Sequence, residues 1–455
     1  MLKATASYLL YPLLERQQNR QITPKLKALK AFSALPRTAQ QALVQQQLYE
    51  VVAAAGRDVP YYQDLFQQQQ FDPEKLKTDI SYLQELPYLT KDILREQGER
   101  LLSQKVERAA LHVRKTGGST GPSILIYYDQ SALDWTAAAN LHVLEWTGKK
   151  RYTKEAHFSS YFSEAIPTKD KLKESIKCIA LNRVNITTDT FDTETLQQAL
   201  HVLRRERPFI VQGHPSTLYR LAVVKEECDR HSNHTNAKSL FQAFESTGEV
   251  LSQKQFDTIQ KIFKCKIYDR YGNAEFGVVA HTQPYDKAHT EIQKETTNHR
   301  RLEVLTRIAW PETRNTQAGN QELVFTGLTN HAMPLIRYCT GDIGNLYQDG
   351  NNLFIDQIVG RIHDLVNIGD HIYPTHYIQD FLDRLGGIDE FQLEQIDTKT
   401  LKIKLVMLPE ESLERISSQI INKWAPYVRI ESIDTHELKT QGWRSKFRHL
   451  VTSEN

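Results

Sequence analysis

Six consecutive residues, Thr116-Gly117-Gly118-Ser119-Thr120-Gly121, have the types and spacing to hold a phosphate. Glycine lets backbone N–H groups wrap closely around an anion, and the three hydroxyls add donors without bulk. The phosphate loop of a nucleotide-hydrolysing protein closes on Gly-Lys-Ser/Thr and leads into a helix. Here Gly121 is followed by Pro122 and the apolar run Ile124-Leu125-Ile126-Tyr127-Tyr128, which excludes that loop. The segment reads as a phosphate cradle between two strands, the first near Leu111-His112-Val113. An ordinary Gly/Ser/Thr turn is the competing reading, and only partners elsewhere decide between them.

Further chemistry-bearing groups follow in order: Thr247-Gly248-Glu249, Tyr271-Gly272-Asn273-Ala274-Glu275, Tyr338-Cys339-Thr340-Gly341-Asp342, Gly360-Arg361-Ile362-His363-Asp364 and Gly442-Trp443-Arg444-Ser445-Lys446-Phe447-Arg448. Taken singly, each has a bland reading. Glu275 would be a solvated loop glutamate, Asp342 a turn aspartate, Arg361 half of a structural ion pair and Lys446 a solvated tail lysine. The pair His231 and His234 has metal-compatible spacing but sits in a polar loop without a third ligand, and is set aside.

The elements that must position these groups are legible from periodicity. Gln45-Gln46-Gln47 and Gln67-Gln68-Gln69-Gln70 lie beside spaced apolar residues and read as polar helix faces. Val59-Pro60-Tyr61-Tyr62 and Leu86-Pro87-Tyr88-Leu89-Thr90-Lys91 mark turns, the second leading to a helix capped near Thr90. From about residue 190 the pattern becomes α/β. A helix carrying Leu196, Leu200 and Leu203 precedes a buried strand at Phe209-Ile210-Val211, which ends at Gly213-His214-Pro215-Ser216. Ser216 is expected to cap the next helix, and Ser252-x-x-Gln255 has the form of a capping box. Strand-like Lys266-Ile267-Tyr268 then runs into the turn Tyr271–Glu275. Helix, strand and functional turn in that order suit an open α/β sheet, where ligands gather at strand ends. Glu322–Thr326, Pro334–Tyr338 and Leu353–Ile355 are expected strands, with Asp342 in a Thr-Gly-Asp turn. A boundary is placed at residues 361 to 364, leaving a final α+β segment long enough for a small domain.

A chain of 455 residues accommodates two or three domains. Charged residues make up 25% and apolar ones 40%, as in a soluble globular enzyme, and the net charge of +2 gives no field for nucleic acid. The four cysteines, Cys178, Cys228, Cys265 and Cys339, are far apart and suit a reducing compartment. The N-terminal apolar patch is short and interrupted by Pro12, and no segment is long enough to span a bilayer. The expectation is a cytoplasmic protein, with peripheral membrane contact through that patch as a minor alternative. The sequence carries no signal for oligomeric state.

Taken together, the motifs resemble the adenylate-forming superfamily of acyl-CoA synthetases, luciferases and nonribosomal adenylation domains. The chain is most similar to its phenylacetate–CoA ligase branch, including capsule-biosynthesis relatives, through Val59–Tyr62, Leu86–Lys91, Gly213–Ser216 and Thr247–Glu249. The resemblance covers nearly the whole chain. It implies an α/β fold with a large N-terminal domain at 1–361 holding ATP and acid, and a small α+β lid at 362–455. It implies that a small carboxylic acid attacks the α-phosphate of ATP and that the acyl adenylate passes to coenzyme A. Thr116, Gly117, Gly118, Ser119, Thr120 and Gly121 would then clamp the β- and γ-phosphates. Glu275 would hold Mg²⁺, for which a hard carboxylate oxygen is suited. Asp342 would take the ribose hydroxyls, and Arg361 the ribose or phosphate. Tyr271, Gly272 and Asn273, with Gly248 and Glu249, would line the nucleotide. Lys446 would bridge the α-phosphate and the attacking carboxylate as a compact point charge. His157, Phe158, Tyr161 and Phe162 fall where the superfamily gates its acid pocket, with core packing as the competing reading.

The sequence departs from the family's pattern in three places. His363 stands at the hinge where an aspartate is usual, with Asp364 beside it. Asn367-Ile368-Gly369-Asp370 lacks a basic residue, and Ser445 replaces a glycine before Lys446. These changes bear on the thioester-forming step more than on adenylation. Two alternatives therefore stay open: acyl transfer to an amine or hydroxyl, as on a sugar or amino acid in polysaccharide assembly, and a non-catalytic nucleotide-binding homologue.

Overall fold

The computed structural model describes residues 2–115, 124–159, 168–187, 193–232, 239–284, 301–316, 319–349, 352–361, 365–374, 378, 381–382, 385–441, 446–447 and 449–452. The chain divides into two compact units, one formed by 1–152 and 268–358, the other by 153–267 and 359–455.

The first unit opens with helices α1 (Leu2–Gln17), α2 (Ile22–Ser33), α3 (Arg37–Asp58), α4 (Pro60–Gln69) and α5 (Lys91–Gln97). Helix α3 buries Val44, Leu48, Val51, Val52 and Ala55 at helical spacing and leaves Gln46 outward, so the glutamine-rich stretch is a polar helix face as expected. Gln67–Gln70 are exposed in the same way at the end of α4. Thr90 caps α5, its Oγ1 accepting from the Ile93 N–H at 3.3 Å. A hairpin, β1 (His112–Lys115) against β2 (Leu125–Tyr128), precedes α6 (Gln130–Trp146).

In the second unit, β3 (Glu155–Ser159), β4 (Arg183–Thr187), β5 (Ile210–Gly213) and β6 (Ala243–Thr247) pair in the order β6-β5-β3-β4, every pair parallel. Helices α7 (Thr168–Ala180), α8 (Thr193–Glu206), α9 (Pro215–Ser232) and α10 (Gln253–Phe263) connect and follow them. Ile210, Val211, Ala243 and Phe244 are fully buried, the apolar run that a strand covered on both faces requires. Ser252 and Gln255 form the expected capping box of α10. The expected cap at Ser216 is overturned, because α9 already begins at Pro215. Pro at a first helical position loses no hydrogen bond, and the Ser216 N–H is instead taken by the Glu249 carboxylate at 3.3 Å.

The remaining strands lie wholly or mostly in the first unit: β7 (Lys266–Asn273), β8 (Gly277–Thr282), β9 (Leu302–Val304), β10 (Ala309–Asn315), β11 (Gln321–Gly327), β12 (Tyr338–Asp349) and β13 (Asn352–Arg361). They run in the order β10-β11-β12-β13-β9-β8-β7. Pro334–Arg337 is not the expected strand. Arg337 has φ +52°, and the buried Tyr62 hydroxyl takes the Ile336 N–H at 3.1 Å and donates to the Pro334 carbonyl at 3.0 Å. This segment's polar groups are thus satisfied by a side chain rather than a ladder. The stretch at Leu86–Lys91 does more than turn: Leu89 bridges Tyr338 in parallel, receiving the Cys339 N–H at 2.9 Å.

The C-terminal part of the second unit has β14 (Leu365–Ile368) against β15 (His371–Pro374). A four-stranded sheet is built from β16 (Ile388–Gln395), β17 (Leu401–Met407), β18 (Val428–Ser432) and β21 (Leu450–Thr452), with α11 (Leu413–Trp424) between β17 and β18. The short strands β19 (Thr440–Gln441) and β20 (Lys446–Phe447) pair with each other. Val366, Leu393, Ile403, Ile416 and Trp424 belong to one apolar cluster, separate from that around Val211 and Leu218.

Candidate active site

The two central motifs of the first unit hold one another. Tyr271, which opens the first, donates from its hydroxyl to Asp342 Oδ2, which closes the second, at 2.7 Å. Tyr338, which opens the second, donates to Glu275 Oε1, which closes the first, at 2.8 Å. All four side chains are buried, and both bonds end on a carboxylate, the stronger kind of hydrogen bond. Neither motif lies wholly in the expected turn. Tyr271–Asn273 end strand β7, and Asp342 sits inside β12 at an irregularity where the pairing shifts between Glu322↔Ile343 and Val324↔Cys339. Gly341 has φ +82°, a conformation that glycine adopts without strain, and its N–H donates to Glu322 Oε1 at 2.8 Å. The Thr340 hydroxyl donates to the Leu323 carbonyl and accepts the Asp342 N–H, so the backbone carrying Asp342 is held by neighbouring side chains.

Gly272 is required for a different reason. A Cβ there would stand 2.5 Å from the Gly277 carbonyl oxygen, on the return strand. The Tyr128 hydroxyl closes the turn from the side, 2.7 Å from the Ala274 carbonyl and 2.5 Å from that of Glu275, and burial raises its pKa. Tyr128 and Tyr338 were not singled out as site residues by sequence, where each looks like an apolar strand residue. The available signal was a tyrosine beside a motif, a side chain that needs a partner for its hydroxyl when buried.

The same region offers groups for a ligand. Asn273 Oδ1 accepts the Phe276 N–H at 2.9 Å, while Nδ2 is buried and has no acceptor among the described residues. Glu275 has no ion-pair partner among the described residues, and only its Oε1 receives a hydrogen bond there. A buried carboxylate with an uncommitted oxygen is suited to a hard divalent cation.

In the second unit, the predicted residues gather at the C-terminal ends of parallel strands. His214 follows β5, and Gly248 and Glu249 follow β6. His214 Nδ1 is 2.8 Å from the Thr247 carbonyl, which can only accept, so that nitrogen carries a proton and donates. Glu249 Oε1 lies 3.8 Å from the same ring and has no hydrogen bond, and the buried hydroxyls of Ser216 and Ser246 also lack partners among the described residues. His157 and Phe158 lie on β3. Phe158 is 8% exposed in this unit's apolar cluster, against Gly213. Burial lowers the His157 pKa, opposed by the Glu155 carboxylate 3.2 Å from Nε2.

The loop at 116–121, together with Tyr161, Phe162, His363 and Asp364, lies outside the described residues, as do the side chains of Arg361 and Lys446. The backbone of Arg361 ends β13, and that of Lys446 opens β20. In the loop at Asn367–Asp370, Asp370 Oδ1 pairs at the surface with Lys399 Nζ at 2.7 Å.

No family model and no curated protein matches this sequence. Solved structures do. A 2-hydroxyisobutyryl-CoA ligase in the postadenylation state, in complex with 2-HIB-AMP, superposes with a TM-score of 0.67 at 17% identity, over 92% of this chain and 90% of that one. The same ligase in an open conformation with 2-HIB-AMP and CoA gives 0.55 at 17% identity, over 92% of both chains. An ATP-bound RpMatB–BxBclM chimera gives 0.51 at 14% identity, over 75% of this chain and 68% of that one. These matches and the two-part α/β architecture show that the chain has the fold of the acyl-adenylate-forming ligases.

Proposed function

We propose that the chain is an ATP- and Mg²⁺-dependent ligase that activates a small carboxylic acid as its acyl adenylate and transfers it to coenzyme A. The observation that carries this reading is the reciprocal lock of Tyr271 on Asp342 and Tyr338 on Glu275, which fixes two carboxylates of different duty in one buried frame. Asp342, one oxygen oriented by Tyr271, is the ribose acceptor, and Asn273 Nδ2 is the donor kept for the nucleotide. Glu275 is the ligand for Mg²⁺, which when bound neutralises phosphate charge.

In the reaction, a carboxylate oxygen of the acid forms a bond to the α-phosphorus of ATP, and the bond from that phosphorus to the bridging oxygen breaks to release pyrophosphate. Such chemistry rests on positioning and charge stabilisation. The segment 116–121 is assigned to the β- and γ-phosphates, Arg361 to the ribose or phosphate, and Lys446 to the charge developing between acid and α-phosphate. Residues 362–455 act as the lid, with their own apolar cluster as support. Acceptance of coenzyme A is supported by the similar ligase bound to 2-HIB-AMP and CoA, and His157 and Phe158 are assigned to the acid side. No helix among the described residues is long and apolar enough to cross a membrane. A reducing, cytoplasmic setting is supported by four free cysteines, with the Cys265 and Cys339 thiols pushed up to about 12 by burial.

The test is carboxylate-dependent exchange of pyrophosphate into ATP across an acid panel, with Glu275→Gln and Lys446→Ala as controls. Exchange lost in both variants supports the reading, and its absence from the wild type together with no calorimetric ATP binding refutes it. Product mass with and without coenzyme A then separates thioester formation from transfer to an amine or hydroxyl.

A further inference from the structure

The first unit has a partly open cavity of about 310 Å³ among α2, α3, α6 and the turn between β9 and β10. Its walls include Phe32, Arg37, His142, Trp146, Arg307 and Trp310, and no residue of the motifs described above contributes to it. The volume is at the lower end of that of small-molecule sites.

Arg307 is the unusual wall. Its Nη1 is buried without a hydrogen-bond acceptor, and no carboxylate lies within ion-pair distance of it among the described residues. Among the described residues it lies over the Trp135 ring, 5.1 Å from the guanidinium carbon. Burial pulls its pKa below the ordinary arginine value, and the Glu50 carboxylate, acting from beyond ion-pair distance, only partly opposes that cost of desolvation.

His142 is 5% exposed and presents the opposite need. Ser33 Oγ is 3.1 Å from both the Leu29 carbonyl and His142 Nε2. Both contacts are hydrogen bonds only when the single serine proton goes to the carbonyl and Nε2–H donates to the serine oxygen. His142 Nδ1 is then a bare acceptor, buried with no donor among the described residues. Asn352 Oδ1, on the same cavity, is a second buried acceptor without a donor among the described residues. Glu303 offers little to a ligand, being engaged by Gln283 Nε2 at 2.6 Å and facing Arg37 at 3.9 Å.

We infer that this cavity is a second ligand site, one that binds a flat monocarboxylate bearing a hydroxyl or amino donor. The carboxylate meets Arg307, the donor meets His142 Nδ1 or Asn352 Oδ1, and the rings of Phe32, Trp146 and Trp310 enclose the apolar body. One unpaired guanidinium matches a monoanion better than a phosphate dianion, which recruits several cations or a row of backbone N–H groups. The inference is independent of the proposed ligase activity.

The probe is sodium 4-hydroxybenzoate, titrated in the absence of ATP and followed by calorimetry and by tryptophan fluorescence. Saturable binding is expected, at least fivefold tighter than for benzoate, which lacks the donor, and with none for phenol, which lacks the charge. Arg307→Gln should weaken it at least tenfold, Arg307→Lys less, and Glu275→Gln not at all. Circular dichroism melts of each variant show whether the fold is intact, and Asn352→Ala, expected to weaken binding about threefold, tests the site without touching the arginine. No saturable binding by the wild type, or equal affinity in Arg307→Gln and Arg307→Lys to that of the wild type, overturns the inference.

Discussion

Tyr271 and Asp342 are 71 residues apart, yet the tyrosine hydroxyl donates to the aspartate across 2.7 Å of buried space. Through its mirror-image partner, Tyr338 on Glu275, neither carboxylate can move without loosening the strand that carries the other. Hydrogen bonds to a charged group contribute about 1.5–3 kcal/mol, so each link is strong enough to fix the orientation of its carboxylate. Tyr271→Phe is expected to raise the KM for ATP in pyrophosphate exchange about tenfold while changing kcat less than threefold. Tyr338→Phe should instead raise the Mg²⁺ concentration needed for half-maximal exchange. Steady-state exchange kinetics over ATP and Mg²⁺ series separate the two, and the same response from both variants would break the division of labour.

How much of this was legible in the sequence depends on the range of the interaction. The capping box at Ser252 and Gln255, the cap at Thr90 and the helical faces of α3 and α8 involve residues three or four apart, and their signatures are local. The order of motifs along the chain was legible too, and it indicated the fold that the structural matches show. Tyr62 was not legible as the partner of Pro334 and Ile336, 272 and 274 residues away, so a segment with strand composition was read as a strand. The same holds for Ser216, where a good capping residue was displaced by Pro215 at the first helical position and by a carboxylate from the Gly248–Glu249 turn. In each, a tertiary contact overrode a local preference.

Arg337 is the clearest stability prediction. Its side chain is buried, pairs with Glu312 at 3.1 Å, donates to the Gln84 carbonyl at 2.8 Å and also to that of Leu86, and lies over the Tyr88 ring at 4.2 Å. Burial alone raises the Glu312 pKa, and the guanidinium opposes that shift. Arg337→Met would leave a buried carboxylate and two carbonyls without a partner. Breaking one side of such a pair costs about 3–5 kcal/mol, and the expected result is an unfolding free energy, measured by urea denaturation, lowered by that amount. Arg337→Met combined with Glu312→Gln should recover part of the loss. A double variant no better than Arg337→Met would show that the carbonyl contacts, rather than the ion pair, carry the effect.

His142 makes stability depend on acid pH in a defined window. Burial between α2 and α6 lowers its pKa from 6.5 to about 4, with Glu145 acting to raise it and Lys30 to lower it. Those two groups pair with each other at 2.6 Å, and Ser33 and Trp146 complete the histidine's surroundings. Between the two pKa values, the unfolded chain binds a proton that the folded chain refuses. Stability contributed by the neutral ring is therefore fully present above about pH 6.5, falls as the pH drops, and levels off below about 4. The full loss is on the order of 3 kcal/mol at 1.36 kcal/mol per pH unit. His142→Gln removes the titration while keeping a polar side chain on α6. Urea midpoints measured from pH 4 to 8 should therefore fall more steeply toward acid in the wild type than in the variant, with parallel curves above pH 7. Parallel curves over the whole range would mean that His142 is protonated in the folded protein and that other groups set its acid limit.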